Sequence, residues 1–433
     1  MNSTAGPSSQ AAEPHKGSLL VIFLTVFVDL LGFGMVLPLL PIYANQFATD
    51  KGGWQLGLLM ASFSAMQFVF APMWGRLSDR VGRRPVLMIG LGGSVAFYSL
   101  FGVATLLALD PATAWMAFPL LFVSRIGAGI AGATISTAQA YIADSTTLER
   151  RPRGMALIGM AFGMGFTFGP LLGFLAVPNR DAAPGPMPGF VAAGLSAVAL
   201  LLAVFLLPES LRKGSESASR KLLDFQKLKA SLATPSIGPL LVAIFVCVFS
   251  FANFETTLSL MIKGGDEAPG SPFEFSWRQI CLTYAFIGFT LALVQGGVVR
   301  RLAGRVSEGV LASAGALIEI VGFLLMLLAV MQHSTALLFA ALAVVVAGFS
   351  FMQPNLNSML SRRSDPTRQG GVLGLGQSMS SLARIFGSGL GIPLMKLQLN
   401  LPYFAAAGLM GVGLLLVIFA ARSGRDYQAE SPA

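Results

Sequence analysis

Long apolar runs follow one another along the whole chain, separated by short polar segments or by segments that contain glycine and proline. A membrane-spanning helix needs about 20 apolar residues, which is the length scale of these runs. The runs are continuous and do not alternate apolar with polar residues, which excludes a transmembrane β-barrel. We therefore predict an all-α integral membrane protein with twelve transmembrane helices, at residues 18–43, 54–75, 85–109, 112–142, 154–177, 189–207, 237–262, 277–299, 308–331, 335–360, 371–395 and 400–421.

The composition agrees with a chain that lies in a lipid bilayer. Of its 433 residues, 54% are hydrophobic and only 11% are charged, whereas a soluble domain carries about 25% charged residues. This balance excludes a soluble enzyme, a disordered protein and a disulfide scaffold, and the net charge of +9 does not indicate a nucleic-acid partner. The two cysteines, Cys247 and Cys281, lie in apolar runs and are expected to be small core residues.

The basic residues are unevenly distributed between the two sides of the predicted spans. If the N-terminus is cytoplasmic, the cytoplasmic segments contain 22 Lys and Arg residues and the opposite segments contain five. Basic residues concentrate in cytoplasmic loops of membrane proteins. We therefore expect both termini to be cytoplasmic, in an inner (cell) membrane. A missed span would invert all later loops and remove the asymmetry.

The chain is predicted to consist of two six-helix halves. A cytoplasmic tail (1–17) precedes the N-terminal half (18–207), a central cytoplasmic linker (208–236) joins it to the C-terminal half (237–421), and residues 422–433 form a second tail. The basic segments after the second and eighth spans resemble each other at an offset of 222 residues, which is about half the chain. Such a 6+6 duplication is common in secondary transporters.

Five ionisable residues lie well inside predicted spans, and such residues usually mark functional sites. They are Asp29, Arg125, Glu255, Glu319 and Arg384. A carboxylate in a span can bind and release a proton or contact a cationic substrate, whereas an arginine keeps its charge. For each residue a structural role is the alternative: a hydrogen bond to a neighbouring helix, a fixed ion pair, or a polar contact between helices.

Several uncharged polar residues share helix faces in the spans and are candidates for lining a substrate cavity. Together with Asp29, Glu255 and Arg384, the predicted cavity residues are Thr25, Gln353, Asn357 and Gln377. Gln377, Ser380 or Ser381, Arg384 and Ser388 recur at helical spacing. Such a stripe faces protein or water rather than lipid, and a packed polar contact between helices is the alternative.

Two glycine-containing segments are predicted to have conformational roles. The loop after the second span is expected to gate conformational change, with Gly75 and Gly82 allowing tight turns. Asp79 is expected to pair with an arginine across the cytoplasmic face or to cap a helix. In span 5 the small residues permit close helix packing, and Pro170 is expected to kink the helix. The residues are Gly75, Asp79, Arg80, Gly82, Arg83 and Arg84 in the loop, and Gly159, Gly163, Gly165, Gly169, Pro170 and Gly173 in the span.

These motifs resemble the major facilitator superfamily, and within it the twelve-span drug:proton antiporters. The segment 75–84 is similar to the superfamily signature between spans 2 and 3, and the segments 29–34 and 125–173 are similar to the tetracycline/proton exporters. The resemblance implies proton coupling at Asp29, Arg125 and Glu319 and an antiporter-type span 5. This chain differs from those exporters in two ways: Phe97 stands where they carry an acidic residue, and their span-8 histidine is absent.

The sequence thus predicts a monomeric transporter, not an enzyme, that exports small amphipathic drugs or metabolites in exchange for protons by alternating access. It contains no nucleotide-binding glycine loop and no histidine pair for a metal, so we expect no cofactor and a proton gradient as the energy source. A metabolite or sugar facilitator or importer of the same fold is one alternative. A non-transporting membrane sensor is a second, and a channel is a third.

Overall fold

The computed structural model describes residues 16–146, 151–177, 185–211, 235–302, 304–364, 369–424 and 426, and within them the chain forms helices and no strand. The N-terminal half contains α1 (Lys16–Val36), α2 (Leu40–Asn45), α3 (Trp54–Val81), α4 (Arg83–Leu107), α5 (Ala117–Gly132), α6 (Ile135–Asp144), α7 (Arg151–Ala176) and α8 (Met187–Leu206). The C-terminal half contains α9 (Gly238–Lys263), α10 (Trp277–Leu293), α11 (Glu308–Met331), α12 (Thr335–Arg362), α13 (Gln369–Leu397) and α14 (Leu401–Ser423).

These helices correspond to twelve spans. Span 1 consists of α1 and α2, which are separated next to Pro38, and span 4 consists of α5 and α6, which are separated after Gly132. Span 8 continues from α10 through a π-helical turn, Val294–Val299, to a last helical turn, Arg300–Leu302. The predicted tail 1–17, the linker 208–236 and the tail 422–433 fall largely outside the described residues.

Eleven of the described segments are long and apolar enough to cross a membrane. The remaining span is α13, which has 29 residues and carries the predicted polar stripe around Arg384. Its polar residues reduce its mean hydropathy, so composition alone does not mark it as a span. The all-helical fold class predicted from the sequence is confirmed.

The two halves pack their helices in the same way. In the N-terminal half α1 contacts α7 and α8, and α4 contacts α5 and α8. In the C-terminal half α9 contacts α13 and α14, and α11 contacts α12 and α14. Each contact in one half has its counterpart six spans later, which is the arrangement expected of a duplicated six-helix unit.

Two pairs of helices make the largest contacts between the halves: α3 packs on α13, and α7 packs on α10. α7 and α10 meet midway along the helices, where Gly288 lies against the backbone of Phe166, and both pairs also have contacts towards the end opposite the chain termini. Gly57 lies against the backbone of Gly389, and Gly173 lies next to Cys281. At the same end the Tyr43 and Trp277 rings are 5.5 Å apart, and Arg278 Nε donates a 3.2 Å hydrogen bond to the Val177 carbonyl.

The halves separate on the side of the termini. The larger hydrophobic core includes residues of both halves, whereas the second core, which surrounds Ile22, Leu87 and Tyr141, contains residues of the N-terminal half alone. Towards the termini, residues 65–77 of α3 and 372–375 of α13 are exposed or partly exposed. These exposed positions indicate a cleft between the halves on the terminus side, since the contacts between the halves lie midway along the helices and at the opposite end.

Candidate functional site

Asp29 lies in the middle of span 1, and hydroxyl groups surround its carboxylate. Ser196 Oγ on α8 donates a 2.6 Å hydrogen bond to one oxygen, and Ser94 Oγ on α4 is 3.4 Å from the other. Among the described residues no basic side chain lies within 4.0 Å of this carboxylate. Asp29 itself is partly exposed, whereas both serines are buried. The carboxylate is thus held in place without a counter-cation.

Arg125 on α5 is 7% exposed, and aromatic rings enclose it. Its Cζ atom lies 4.2 Å from the centre of the Phe63 ring and 6.0 Å from the centre of the Phe33 ring. Its Nε atom is buried and has no hydrogen-bond partner. Arginine retains its charge in proteins, so a cation is fixed inside the N-terminal half.

Glu255 and Arg384 form an ion pair inside the C-terminal half. Arg384 Nη1 on α13 donates to Glu255 Oε2 on α9, and the two side chains are 35% and 24% exposed. One turn further along, the hydroxyl groups of Thr256 and Ser388 are 2.9 Å apart. The polar stripe of α13 therefore packs on α9, and its ion pair is partly exposed; the predicted role of these residues in a substrate cavity stays a prediction.

Tyr98 on α4 lies near two of these groups in the N-terminal half. It lies within electrostatic range of both Asp29 and Arg125, and Arg125 lies within range of Tyr98 and of Glu255. Asp29 and Arg125, predicted to act as a pair, make no described contact with each other, and Tyr98 lies within electrostatic range of both. We call Asp29, Tyr98, Arg125, Glu255 and Arg384 the central polar chain.

The other predicted cavity residues differ in their accessibility. Gln377 and Asn357 are exposed, and Gln353 is partly buried with an unpartnered Oε1 atom. Thr25 is 1% exposed, and its hydroxyl oxygen has no partner. Thr25 lies one turn before Asp29 on α1 but makes no described hydrogen bond to it.

Glu319 lies apart from the central polar chain. It is 0% exposed on α11, and neither of its carboxylate oxygens has a hydrogen-bond partner. Gly348 of α12 packs against its Cβ atom, and Cys247 is the ionisable neighbour within electrostatic range. The structure does not bring Glu319 together with Asp29 and Arg125, and its predicted part in proton coupling stays a prediction.

Arg83 organises the segment between spans 2 and 3. Its guanidinium forms ion pairs with Asp79 at 2.5 Å and with Asp144, the last residue of α6, at 3.0 Å. It also donates to Ser78 Oγ at 2.6 Å. Among the described residues, Asp79 thus pairs within its own half and not across the terminus-side face.

Glu209, just after α8, caps the start of α4. Its carboxylate accepts hydrogen bonds from the backbone N–H groups of Arg83 at 2.9 Å and Arg84 at 3.1 Å. Gly82 has φ 109°, and a side chain there would collide with Glu209. The expected turn therefore occurs at Gly82.

The prediction of a turn at Gly75 was wrong, because α3 continues as a helix through Gly75 to Val81. Arg80 is exposed.

The second half contains the corresponding ion pair with the charges exchanged. Arg83 is the first residue of span 3 and binds Asp144 at the end of span 4. Glu308 is the first residue of span 9 and binds Arg362, the last residue of span 10, at 2.9 Å. Arg362 also binds Asp426 at 2.6 Å. The duplicated units thus keep the position of the ion pair and invert its polarity.

The glycines of span 5 form the expected close contact with span 1. A side-chain carbon at Gly165 would lie 2.8 Å from Leu30 Cβ, and one at Gly169 would lie 2.7 Å from the Leu31 carbonyl oxygen. Gly173 faces Met35. Gly159 and Gly163 have no atom within 4 Å of such a carbon. The prediction of a packing face is therefore confirmed for Gly165, Gly169 and Gly173.

The family model described as Major Facilitator Superfamily matches residues 22–388. The chain belongs to the Major Facilitator Superfamily. The resemblance inferred from its motifs is thereby confirmed.

Among its relatives, the class C tetracycline resistance protein of Escherichia coli is 32% identical over 375 residues, covering 86% of this chain and 88% of that protein. Multidrug resistance protein 2 of Bacillus subtilis is 27% identical over 410 residues, covering 93% and 95%. The crystal structure of the human organic anion transporter MFSD10 (TETRAN) has 27% identity and a TM-score of 0.70, covering 93% of this chain and 99% of that one. This major facilitator protein is therefore a multi-pass membrane transporter of small molecules and not an enzyme.

Sequence reasoning missed four residues of this transporter's site: Ser94, Tyr98, Ser196 and Glu209. The three hydroxyl residues are isolated in apolar spans, and single serines and tyrosines are too common there to be singled out. Glu209 follows span 6 directly, and only the fold brings it to the start of α4. Phe97, which stands where the tetracycline exporters carry an acidic residue, packs its ring on Gly127 two residues from Arg125.

Proposed function

We propose that this protein exports small amphipathic molecules in exchange for protons. It would act as a monomer in a cell (inner) membrane with both termini in the cytoplasm, and the proton gradient would replace any cofactor. The observation that carries the proposal is the setting of Asp29: a carboxylate in mid-membrane, hydrogen-bonded by hydroxyl groups and without a counter-cation among the described residues.

Hydroxyl groups suit a carboxyl group that must exist in two protonation states. A serine hydroxyl can donate to a carboxylate and can also accept from a protonated carboxyl group. A fixed arginine in its place would hold the carboxylate ionised. Ser94 and Ser196 can therefore accompany Asp29 through both states without a large movement of either helix.

The central polar chain supplies a connection between proton and substrate. A proton that leaves Asp29 leaves a negative charge in the same half as the fixed positive charge of Arg125, and Tyr98 lies within electrostatic range of both. Arg125 in turn lies within range of Glu255 in the other half. Substrate that enters the cleft and contacts Arg125 or Glu255 therefore acts on the same electrostatic balance as the proton.

Two observations favour export as the direction of transport. The excess of basic residues in the segments on the terminus side favours a cytoplasmic position for that side, so the open cleft would face the cytoplasm. The relatives include proteins named for tetracycline resistance and multidrug resistance, which favours export of amphipathic drugs. A proton that crosses 100 mV supplies about 2.3 kcal/mol for this work.

The test uses the purified protein in liposomes with a pH-sensitive dye inside. A panel of amphipathic drugs and metabolites, tetracycline among them, is added in turn to wild type, Asp29→Asn and Glu319→Gln. We expect one or more compounds to trigger proton movement in the wild type. In the Asp29→Asn variant the rate of this proton movement should be at least tenfold lower, because an amide cannot carry the proton.

Asp110→Asn is the matched control, since Asp110 is exposed and lies outside the spans. It should behave as the wild type. The Glu319→Gln variant shows whether the Glu319 carboxyl group also carries protons during transport. Substrate flux without proton movement, unchanged in Asp29→Asn, would contradict the antiport proposal and favour the facilitator.

A further inference from the structure

Arg125 is the exception among the buried arginines of the described residues. Three arginines are less than 9% exposed: Arg83, Arg125 and Arg363. Arg83 is bound by two carboxylates and a hydroxyl group, and Arg363 Nη1 donates to the carbonyls of Ala420 at 2.9 Å and Ser236 at 3.2 Å. Arg125 has no described hydrogen bond, and its Nε atom is buried without a partner.

The anions near Arg125 are already engaged. Glu255, which lies within electrostatic range, forms its ion pair with Arg384. Asp29 is held by Ser94 and Ser196 and makes no described contact with Arg125. An unpaired charge in a low-dielectric interior is costly, so the site has a positive charge that is not fully balanced.

Aromatic surface lies directly beside this charge. The Phe33 and Phe63 rings stack with their centres 5.3 Å apart, and Phe166 meets Phe33 edge-on at 5.9 Å. Phe33 and Phe166 are both partly exposed. They belong to α1 and α7, and the Phe33 ring, which Phe166 contacts, lies beside the guanidinium.

We propose that Arg125 binds the carboxylate of an amphipathic organic anion, with the apolar body of that anion against Phe33 and Phe166. A guanidinium can hold a carboxylate through two parallel hydrogen bonds, which would satisfy the donors that have no partner in the protein. The inference rests on the proposed function, because it names the chemical class of the exported molecule. A cationic substrate would instead have to displace Arg384 from Glu255 or the serines from Asp29.

The test compares three probes of nearly the same shape: 2-naphthoate, 2-naphthamide and 2-naphthylmethylammonium. Binding to the purified protein in detergent is measured by calorimetry, without a proton gradient. A hydrogen bond to a charged group corresponds to about a tenfold change in affinity or more. We therefore expect wild type to bind the naphthoate about tenfold more tightly than the amide.

Variants of Arg125 distinguish recognition of the probe's charge from a purely structural role of this residue. Arg125→Gln should bind the naphthoate no better than the amide, and Arg125→Lys should keep part of the preference. Arg300→Gln is the matched control, because Arg300 is exposed on the terminus side, and it should bind all three probes as wild type does. A structural role of Arg125 alone would alter the binding of the three probes equally.

The inference is overturned if wild type binds the naphthoate no better than the amide, whether both bind or neither does. It is also overturned if the preference survives in Arg125→Gln, or if the ammonium probe binds most tightly. These results do not depend on proton movement. Antiport without selectivity for the anion would reject this inference alone, whereas selectivity for the anion without antiport would reject the proposed function and leave the binding site intact.

Discussion

At the scale of single residues, charges inside the membrane are the informative feature of this chain. Insertion of a charged side chain at the centre of a span costs about 2.5–3.5 kcal/mol, so each such residue requires a physical explanation. Four of the five ionisable residues singled out from the sequence, Asp29, Arg125, Glu255 and Arg384, belong to one electrostatic chain. Glu319 alone is separate and unpartnered.

The ion pair between Glu255 and Arg384 predicts an asymmetry between two variants. In Glu255→Gln the Arg384 guanidinium loses its carboxylate, and Arg125 loses its nearby anion as well. In Arg384→Gln, Glu255 still has Arg125 within electrostatic range. We expect Glu255→Gln to reduce the free energy of unfolding by about 2 kcal/mol and Arg384→Gln to reduce it by less.

Thermal unfolding in detergent measures this difference, and the double variant should be less destabilised than the sum of the two. Arg362→Gln is the comparison, because Arg362 is exposed and its ion pair with Glu308 lies at the surface. Such a pair contributes about 0–1 kcal/mol. Equal effects of Glu255→Gln and Arg384→Gln would argue against the role of Arg125 as a second partner of Glu255.

The sequence could identify charges at this scale but not their partners. An aspartate in an apolar run stands out, whereas Ser94 and Ser196, which bind it, do not. Asp29 and Arg125 were expected to act as a pair, whereas the structure describes no contact between them and has Tyr98 within electrostatic range of both. The contacts depend on helix rotation, which the apolar pattern of a span does not specify.

At the scale of helices, the pattern of small residues was a reliable guide to packing. Gly165, Gly169 and Gly173 of span 5 face span 1 as their spacing indicated. The interruptions of the helices were less predictable. Span 1 is broken near Pro38 and span 4 after Gly132, and the end of span 8 forms a π-helical turn around Gly296 and Gly297. These residues allow a break without requiring one.

Substitution by alanine is expected to change the stability of the protein in opposite directions at two glycines of α7, Gly169 and Gly159. At Gly169 the added carbon would lie 2.7 Å from the Leu31 carbonyl oxygen and 2.9 Å from the Gly34 backbone, which cannot move aside without separating α1 and α7. Overpacking of this kind costs about 1–3 kcal/mol. At Gly159 nothing lies within 4 Å, and alanine in a helix gains about 0.5–1 kcal/mol over glycine.

The unfolding temperature of both variants in detergent checks this expectation. Gly169→Ala should unfold at a lower temperature than wild type, and Gly159→Ala at the same or a higher temperature. A stable Gly169→Ala variant would show that α1 and α7 are not in close contact in the membrane protein.

At the scale of the whole molecule, the duplication determines both the architecture and the site. Corresponding helix pairs pack in the same way in the two halves, while the ion pair at the terminus side keeps its position and inverts its polarity between Arg83–Asp144 and Glu308–Arg362. The halves meet at the end opposite the termini and separate towards the termini. The central polar chain lies across the two halves, where alternating access requires a coupling site.

The fold class and eleven of the spans follow from the length of the apolar runs, because the bilayer fixes the length of a spanning helix. The open cleft could not be predicted, because under the proposed alternating-access mechanism the same sequence also adopts a second conformation that is open on the other side. Which of the two is present depends on small differences in free energy between alternative contacts, and the sequence does not display those differences.

The most direct test of proton-coupled export is uphill transport driven by a pH gradient. Wild-type protein is reconstituted into liposomes with an acidic interior, and the internal concentration of a substrate found in the dye experiment is followed over time. The account predicts accumulation above the external concentration, which a protonophore abolishes and Asp29→Asn does not support. If the substrate only equilibrates, at the same rate with and without the gradient, the protein is a facilitator and the central claim is wrong.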